Sequence, residues 1–116
     1  MVSEVIIYHN GRCSKSRGAL EILQEKGIPH EVRYYLMEPL SQKELKDVLK
    51  KLGIKASELV RKSEDLYKEQ YKDKELTEKE WIKVLAENPI LIQRPIVVKG
   101  DKAIIARPPE RVLEII

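Results

Sequence analysis

The stretch VIIYHNGRCSKSRGALEILQEKGIPHEVRYYL, residues 5–36, decides the fold. Its first four residues, 5–8, are apolar and β-branched at the start, which is typical of a buried strand. Apolar residues then recur at helical spacing, and the helix is predicted to end at Gly27, with Pro29 just past its C-cap. Alternation of apolar and polar residues over 32–36 predicts a half-exposed second strand, parallel to the first after a right-handed crossover. Its polar face is predicted to carry Glu31, Arg33 and Tyr35.

Two capping boxes mark the beginnings of two further helices. Residues 41–44 (SQKE) and 77–80 (TEKE) both place a hydroxyl three residues before a glutamate, so that each side chain can bond the other residue's backbone N–H. Gly53 is predicted to end the first helix, and Asn88 the second. The apolar pairs that would close these starts as hydrophobic staples are Leu40 with Leu45, and Leu76 with Trp81.

The rest of the chain completes the predicted architecture. Residues 61–75 are mostly charged and are predicted to form a solvated helical segment over the core. Two apolar runs flank 99–102 (KGDK), whose central Gly-Asp suits a type II′ hairpin, and Pro109 is predicted to begin a last helix. The order of elements predicts an α/β fold, a thioredoxin-like mixed four-stranded sheet flanked by helices, with a helical insert between the βαβ and ββα halves. We predict a single domain over residues 1–116.

Composition narrows the class of protein. The chain has 116 residues, and 22 basic and 19 acidic side chains give a net charge of +3. The signs are interleaved, and without a concentrated basic face we predict no nucleic-acid partner. No apolar run could span a bilayer, and residues 1–4 lack the features of a secretory signal. We therefore predict no membrane partner and a cytoplasmic location.

Cys13 is the only cysteine, so it cannot form a disulfide within the chain. One interpretation is a buried, inert thiol, because free cysteines mostly pack. Its position at the start of a helix favours a second interpretation, since the unpaired N–H groups and the dipole at that end stabilise a thiolate. Ser14, Ser16 and His9 could also approach the sulfur. The basic residues that flank it are Arg12, Lys15 and Arg17.

The surroundings of Cys13 also suggest its reaction partners. Residues 13–16 (CSKS) have the spacing of a thioredoxin-like redox motif, but serine replaces the second cysteine. Any disulfide must therefore form with another molecule, which points to glutathione or a glutaredoxin. The same helix N-terminus can hold a small tetrahedral oxyanion. His9 and His30 lack partnering ligands, so no metal site is predicted.

The chain resembles the ArsC family of glutaredoxin-dependent arsenate reductases, and within it a short-chain branch. The matching stretches follow the family order and cover nearly the whole chain: residues 7–10 (IYHN) with Cys13, Ser16 and Arg17, residues 59–62 (LVRK), residues 88–98 (NPILIQRPIVV), and Arg107 with Pro108. The chain departs from many relatives at Gly11, where they have proline. Arg12 and Lys15 replace small or neutral residues, which makes the mouth of the site more basic.

The resemblance implies an oxidoreductase that reduces arsenate to arsenite in arsenic detoxification. Cys13 would be the nucleophile, His9 would help to keep it ionised, and Ser16 would hydrogen-bond it. Pro95 would be a cis proline beside the site. No cofactor would be bound; glutathione would be a co-substrate, and glutaredoxin would reduce the Cys13–glutathione disulfide. The residues implied to hold the oxyanion through their guanidinium forks are Arg61, Arg94 and Arg107.

Two other functions stay open. A glutathione-linked thiol oxidoreductase would use the same thiolate and the same partner, with arsenate incidental. A non-catalytic regulator similar to the Spx-type proteins, which bind RNA polymerase, would share the architecture. Many of those regulators carry a switch disulfide at the positions of Cys13 and Ser16, and Ser16 prevents it here. We therefore favour the reductase.

Overall fold

The computed structural model of the protein describes residues 5–116, so the prediction made for residues 1–4, that they are no secretory signal, lies outside the described residues. The chain divides into two compact units, a sheet unit formed by the residues up to Glu38 together with Arg94–Ile116, and a helical unit formed by Pro39–Gln93. The helical unit is the predicted insert. The single domain over 1–116 stays a prediction. Across the described residues, every helix is too short or too polar to cross a membrane.

The sheet unit contains four strands in the order β2-β1-β3-β4. The central strand β1 (Val5–Tyr8) runs parallel to β2 (His30–Arg33) and antiparallel to β3 (Ile96–Lys99). Helix α1 (Ser14–Glu25) links the two parallel strands, and β4 (Lys102–Ile105) pairs antiparallel with β3. The predicted mixed sheet is confirmed.

Burial holds β1 and α1 in place. Ile7, Leu23 and Val97 are fully buried within one hydrophobic cluster, and a fully buried aliphatic side chain contributes about 1.5–3 kcal/mol. Because β1 is anchored in this way, the loop that follows its last residue, Tyr8, begins at a defined edge of the sheet. The other buried members of the cluster are Val5, Ala19, Ile104, Ala106 and Val112.

The second strand ends earlier than the alternation of residues predicts. After Arg33 the chain turns, and the Tyr34 carbonyl accepts hydrogen bonds from the N–H groups of Met37 and Glu38, at 3.0 and 2.9 Å. The turn reverses the predicted faces, since Tyr35 is only 1% exposed and Tyr34 is 50% exposed. The prediction for this segment was wrong because residues alternate between faces only while the backbone stays extended.

The C-terminal hairpin has the predicted geometry. Lys99 pairs with Lys102, which leaves Gly100 and Asp101 as a two-residue loop. Gly100 has a φ of 60° while Asp101 has a negative φ, the combination of a type II′ turn. The predicted last helix is present as a 3-10 helix, Pro109–Glu114, with proline at its beginning.

The helical unit begins its main helices where the capping boxes predict. The Ser41 hydroxyl accepts a bond from the Glu44 N–H at 3.1 Å, and the Glu44 carboxylate accepts one from the Ser41 N–H at 3.0 Å. Thr77 and Glu80 form the same reciprocal pair. Gly53, with a φ of 71°, ends the first helix in a left-handed conformation that glycine adopts at little cost. The helices of this unit are α2 (Gln42–Leu52), α3 (Ala56–Leu59), α4 (Asp65–Gln70) and α5 (Glu78–Glu87), followed by a 3-10 helix, Pro89–Leu91.

The charged segment before α5 is mostly exposed, as predicted, but it is helical only over residues 65–70. Helix α4 buries none of its residues. The segment is anchored instead by Tyr67 and Tyr71, whose ring centroids lie 6.5 and 5.8 Å from that of Trp81. Two aromatic contacts therefore hold a polar helix against the core of the helical unit.

Gly18 allows α1 to approach the C-terminal 3-10 helix closely. A Cβ atom at this position would lie 2.9 Å from the Cγ and 3.2 Å from the Cβ of Pro109. Alanine in place of Gly18 improves helix propensity by about 1 kcal/mol but overpacks the contact by about 1–3 kcal/mol. We expect Gly18→Ala to lower the free energy of unfolding by about 1 kcal/mol in urea denaturation. In a Pro109→Gly background the same change should be neutral or stabilising, and a stabilising effect in the native background would contradict this account.

Candidate active site

Cys13 lies at the junction between the loop that follows β1 and the beginning of α1, where it is the N-cap residue. Its backbone N–H donates to the Asn10 carbonyl at 3.0 Å, and its carbonyl accepts the Arg17 N–H at 3.0 Å. The Asn10 side-chain oxygen accepts the Arg12 N–H, also at 3.0 Å, which closes the loop around its own backbone. The thiol is only partly buried, so it is held in a fixed place that small molecules can still reach.

The environment of the sulfur favours the thiolate. Burial raises the pKa of the Cys13 thiol, but hydrogen bonding from the Ser16 backbone, the Arg94 side chain and the Lys15 backbone lowers it, as does the positive charge of Arg94. The lowering effects prevail, and the pKa is below its ordinary value. The interpretation of Cys13 as an inert, buried thiol does not fit these surroundings.

The guanidinium that acts on the sulfur comes from Arg94 and not from the neighbours of Cys13 in the sequence. Arg12, Lys15 and Arg17 are all exposed to solvent, where water screens their charges. Arg94 is only 8% exposed and precedes β3, on another part of the sheet unit. Because Arg94 is largely shielded from water, its charge interacts more strongly with the thiolate. The basic side chains predicted to flank the sulfur are therefore secondary to one buried arginine.

Ser16 and His9 form a buried network beneath the loop. The Ser16 hydroxyl lies 2.7 Å from Nδ1 of His9 and accepts the Asn10 N–H at 3.0 Å. Ser16 is completely buried and His9 is 4% exposed. The Ser16 hydroxyl thus ties His9 to the loop, while the backbone of the same residue supports the thiolate of Cys13.

His9 is the neutral member of this network. Burial lowers its pKa, a hydrogen bond with the Ser16 backbone raises it, and the charge of Arg17 lowers it further, so that the pKa is below its ordinary value. A neutral imidazole adds no positive charge next to the thiolate at neutral pH. The contact of His9 with Ser16 is therefore the route by which it can influence Cys13, and the catalytic roles of both residues stay predictions.

The loop before β3 forms the other side of the site. The Arg94–Pro95 peptide bond is cis, as the resemblance implies, and the Arg107–Pro108 bond is also cis, which was not predicted. The Pro95 carbonyl accepts the Ala106 N–H at 2.9 Å. The Arg107 guanidinium reaches the Arg94 carbonyl at 3.5 Å, a long and weak contact. Arg94, Pro95 and Arg107 thus form one connected group in the sheet unit.

Arg61 is the one candidate residue that belongs to the helical unit. Its Nε donates to the Ser63 hydroxyl at 3.1 Å and lies 3.6 Å from a carboxylate oxygen of Glu64. Its Nη1 is buried and lacks a hydrogen-bond partner among residues 5–116. These contacts fix the side chain within its own unit, and its predicted role in holding an oxyanion stays a prediction.

Tyr35 is a neighbour of the site that the sequence analysis did not select. The parallel strands β1 and β2 end at the same edge of the sheet, with Tyr8 beside Arg33, so residues just beyond both strands come together. Charged and polar groups of Cys13, Arg94 and Asn10 all act on the Tyr35 hydroxyl. The parallel pairing of β1 and β2 could have pointed to Tyr35. The alternation of residues placed Tyr35 on the exposed face of β2 instead, so it was not selected.

The chain is similar in sequence and in fold to known proteins. The family model described as ArsC family matches residues 8–115. The uncharacterized protein YfgD of Escherichia coli K12 is 51% identical, with 100% of this chain and 99% of that protein covered. A protein of Haemophilus influenzae named arsenate reductase is 47% identical, with 97% and 98% covered. The solved structure of an arsenate reductase from Vibrio cholerae is 42% identical over 100% of both chains, with a TM-score of 0.93. This likeness confirms the predicted fold class.

Proposed function

Because the chain belongs to the ArsC family, we propose that it reduces arsenate to arsenite through Cys13, with glutathione and glutaredoxin as reductants. The observation that carries the proposal is the sulfur of Cys13, whose pKa is lowered by backbone N–H groups at the start of α1 and by the buried Arg94. A nucleophile and hydrogen-bond donors for an oxyanion therefore occupy one place. The names of the relatives from Haemophilus influenzae and Vibrio cholerae support arsenate as the oxyanion.

In the first step the Cys13 thiolate attacks the arsenic of arsenate. A sulfur–arsenic bond forms and an arsenic–oxygen bond breaks, and the oxygen leaves as water after it has been protonated. The positive charge of Arg94 and the N–H groups of Lys15 and Ser16 act in the same small region. They support both the thiolate before the attack and the negative oxygens of the adduct after it.

In the second step glutathione attacks the adduct. The sulfurs of glutathione and Cys13 become joined in a disulfide while the bond between Cys13 and arsenic breaks. The two sulfurs together lose two electrons, which arsenic keeps as it leaves as arsenite. Together the two steps convert the Cys13 thiol, glutathione and arsenate into the mixed disulfide, arsenite and water. The chain has a single cysteine, so no thiol of its own can reduce the mixed disulfide, and an external dithiol such as glutaredoxin completes the cycle.

The experiment is a coupled assay with the wild-type chain, glutathione, glutaredoxin, glutathione reductase and NADPH. We expect NADPH consumption that depends on arsenate, one NADPH per arsenite formed, and that stops when glutathione or glutaredoxin is left out. Turnover of glutathione mixed disulfides without arsenate reduction would contradict the proposal and favour the thiol oxidoreductase. Binding to RNA polymerase without turnover of any oxyanion would favour the regulator.

A further inference from the structure

The Tyr35 hydroxyl is a buried polar group whose position has no structural explanation so far. The side chain is 1% exposed, and its turn lies directly after β2, at the edge of the sheet where the Cys13 loop begins. Within the described part of the chain, the hydroxyl oxygen forms no hydrogen bond. Arg94 and Asn10 come near enough to affect its ionisation, but neither completes a bond of good geometry. Phenylalanine would fill the same space without the cost of burying an unpaired hydroxyl.

The hydroxyl keeps its proton at neutral pH. Burial raises the pKa of Tyr35 most strongly, the charge and the nearby N–H groups of Arg94 oppose this, the negative charge of Cys13 raises it again, and the nearby Asn10 side chain lowers it. The net effect is a pKa above the ordinary value. Tyr35 therefore offers an O–H donor close to the negative charge of the site.

The unbound thiolate does not use this donor. Among residues 5–116 the Tyr35 hydroxyl has no hydrogen-bond partner, the Cys13 sulfur included. The groups that lower the pKa of Cys13 are the Ser16 and Lys15 backbones and the Arg94 side chain. An acceptor that suits the hydroxyl would carry negative charge, lie beside both the sulfur and Arg94, and be present only during the reaction. The hydroxyl oxygen is shielded from solvent in the unbound protein, so it comes within reach through the side-chain rearrangement that binding commonly brings. With that rearrangement, the oxygens of a tetrahedral oxyanion or of its adduct with Cys13 meet these conditions.

We propose that the Tyr35 hydroxyl donates a hydrogen bond to an oxygen of the oxyanion held at Cys13 and Arg94, and so contributes to the selection of tetrahedral oxyanions over uncharged thiol reagents. This inference rests on the proposed function, because it assumes that an oxyanion binds at Cys13. It assigns Tyr35 to substrate binding and leaves the reactivity of the free thiolate to the other groups.

The test compares the wild-type chain with Tyr35→Phe by alkylation of Cys13 with iodoacetamide. Without oxyanion, both should react at the same rate within about two-fold, since the hydroxyl does not bond the free thiolate. Arsenate should protect Cys13, and Tyr35→Phe should need about ten-fold more arsenate for half-protection, the loss expected for one hydrogen bond to a charged group. The variant should unfold at the same or a higher temperature, because it removes an unpaired buried hydroxyl.

Tyr71→Phe is the matched control, since it removes a hydroxyl from a tyrosine of the helical unit that contacts Trp81. It should leave half-protection unchanged. The proposal would be overturned if wild type and Tyr35→Phe needed the same arsenate concentration for half-protection, or if arsenate did not protect wild type. It would also be overturned if Tyr35→Phe slowed the alkylation of the free thiol by as much as it weakened protection. The experiment needs no turnover, so it separates this inference from the proposed function, which fails if wild type consumes no NADPH with arsenate.

Discussion

Replacing Cys13 with serine is expected to reduce arsenate-dependent NADPH consumption by at least about 10³-fold, to the rate measured without the protein. Serine keeps the size of the side chain, but its hydroxyl remains protonated at neutral pH and cannot replace the thiolate that the start of α1 and Arg94 stabilise. It also cannot join glutathione in a disulfide. Because the chain holds no second cysteine, no other thiol can take over the step.

The serine variant should fold normally, since Cys13 is only partly buried and holds its loop through backbone hydrogen bonds. Circular dichroism and a thermal melt check this. Ser57→Ala, a change of a hydroxyl in the helical unit, serves as the control and should keep full activity. Turnover of Cys13→Ser within ten-fold of wild type would show that the sulfur is not the nucleophile.

Replacing Arg94 with alanine is expected to produce the second largest effect. Arg94 lowers the pKa of Cys13 by a hydrogen bond and by its charge, so its loss should raise the pKa and move the pH profile of alkylation to higher pH. The same guanidinium is available to the oxyanion, and removal of one such donor costs about 10²-fold in kcat/KM. Arg94→Lys should be intermediate, because it keeps the charge and loses the planar fork.

Arg111→Ala is the matched control for Arg94→Ala. Arg111 is a more exposed arginine of the same unit whose Nε pairs with Glu114 at 3.3 Å. We expect neither the pKa of Cys13 nor kcat/KM to change in this variant. If Arg94→Ala kept both quantities at their wild-type values, the buried guanidinium would have no part in the site, and the proposed stabilisation of the thiolate would be wrong.

Much of the fold could be predicted because the deciding signals are local. A capping box needs only residues three apart, so Ser41 with Glu44 and Thr77 with Glu80 revealed the beginnings of α2 and α5. The hairpin turn at Gly100 is equally local. The end of β2 has no such local signal, because the alternation of residues 32–36 does not indicate the turn at Tyr34.

The candidate site was predictable in part for the same reason. The position of Cys13 before a helix follows from the sequence near it, and with it the stabilised thiolate. Which charge acts on that thiolate depends on tertiary structure, and the residues near Cys13 in the sequence do not point to Arg94. Tyr35 escaped selection because its burial depends on the turn that the alternation did not predict.

The folded protein holds Cys13 as a thiolate more readily than the unfolded chain does. The direct test is a pH titration of thiolate ultraviolet absorbance on the folded protein and on the same protein in urea, with Cys13→Ser as the blank. The single cysteine makes the signal unambiguous. We expect a lower midpoint for the folded protein, in line with the lowered pKa. A folded midpoint equal to or above that of the unfolded chain would contradict it.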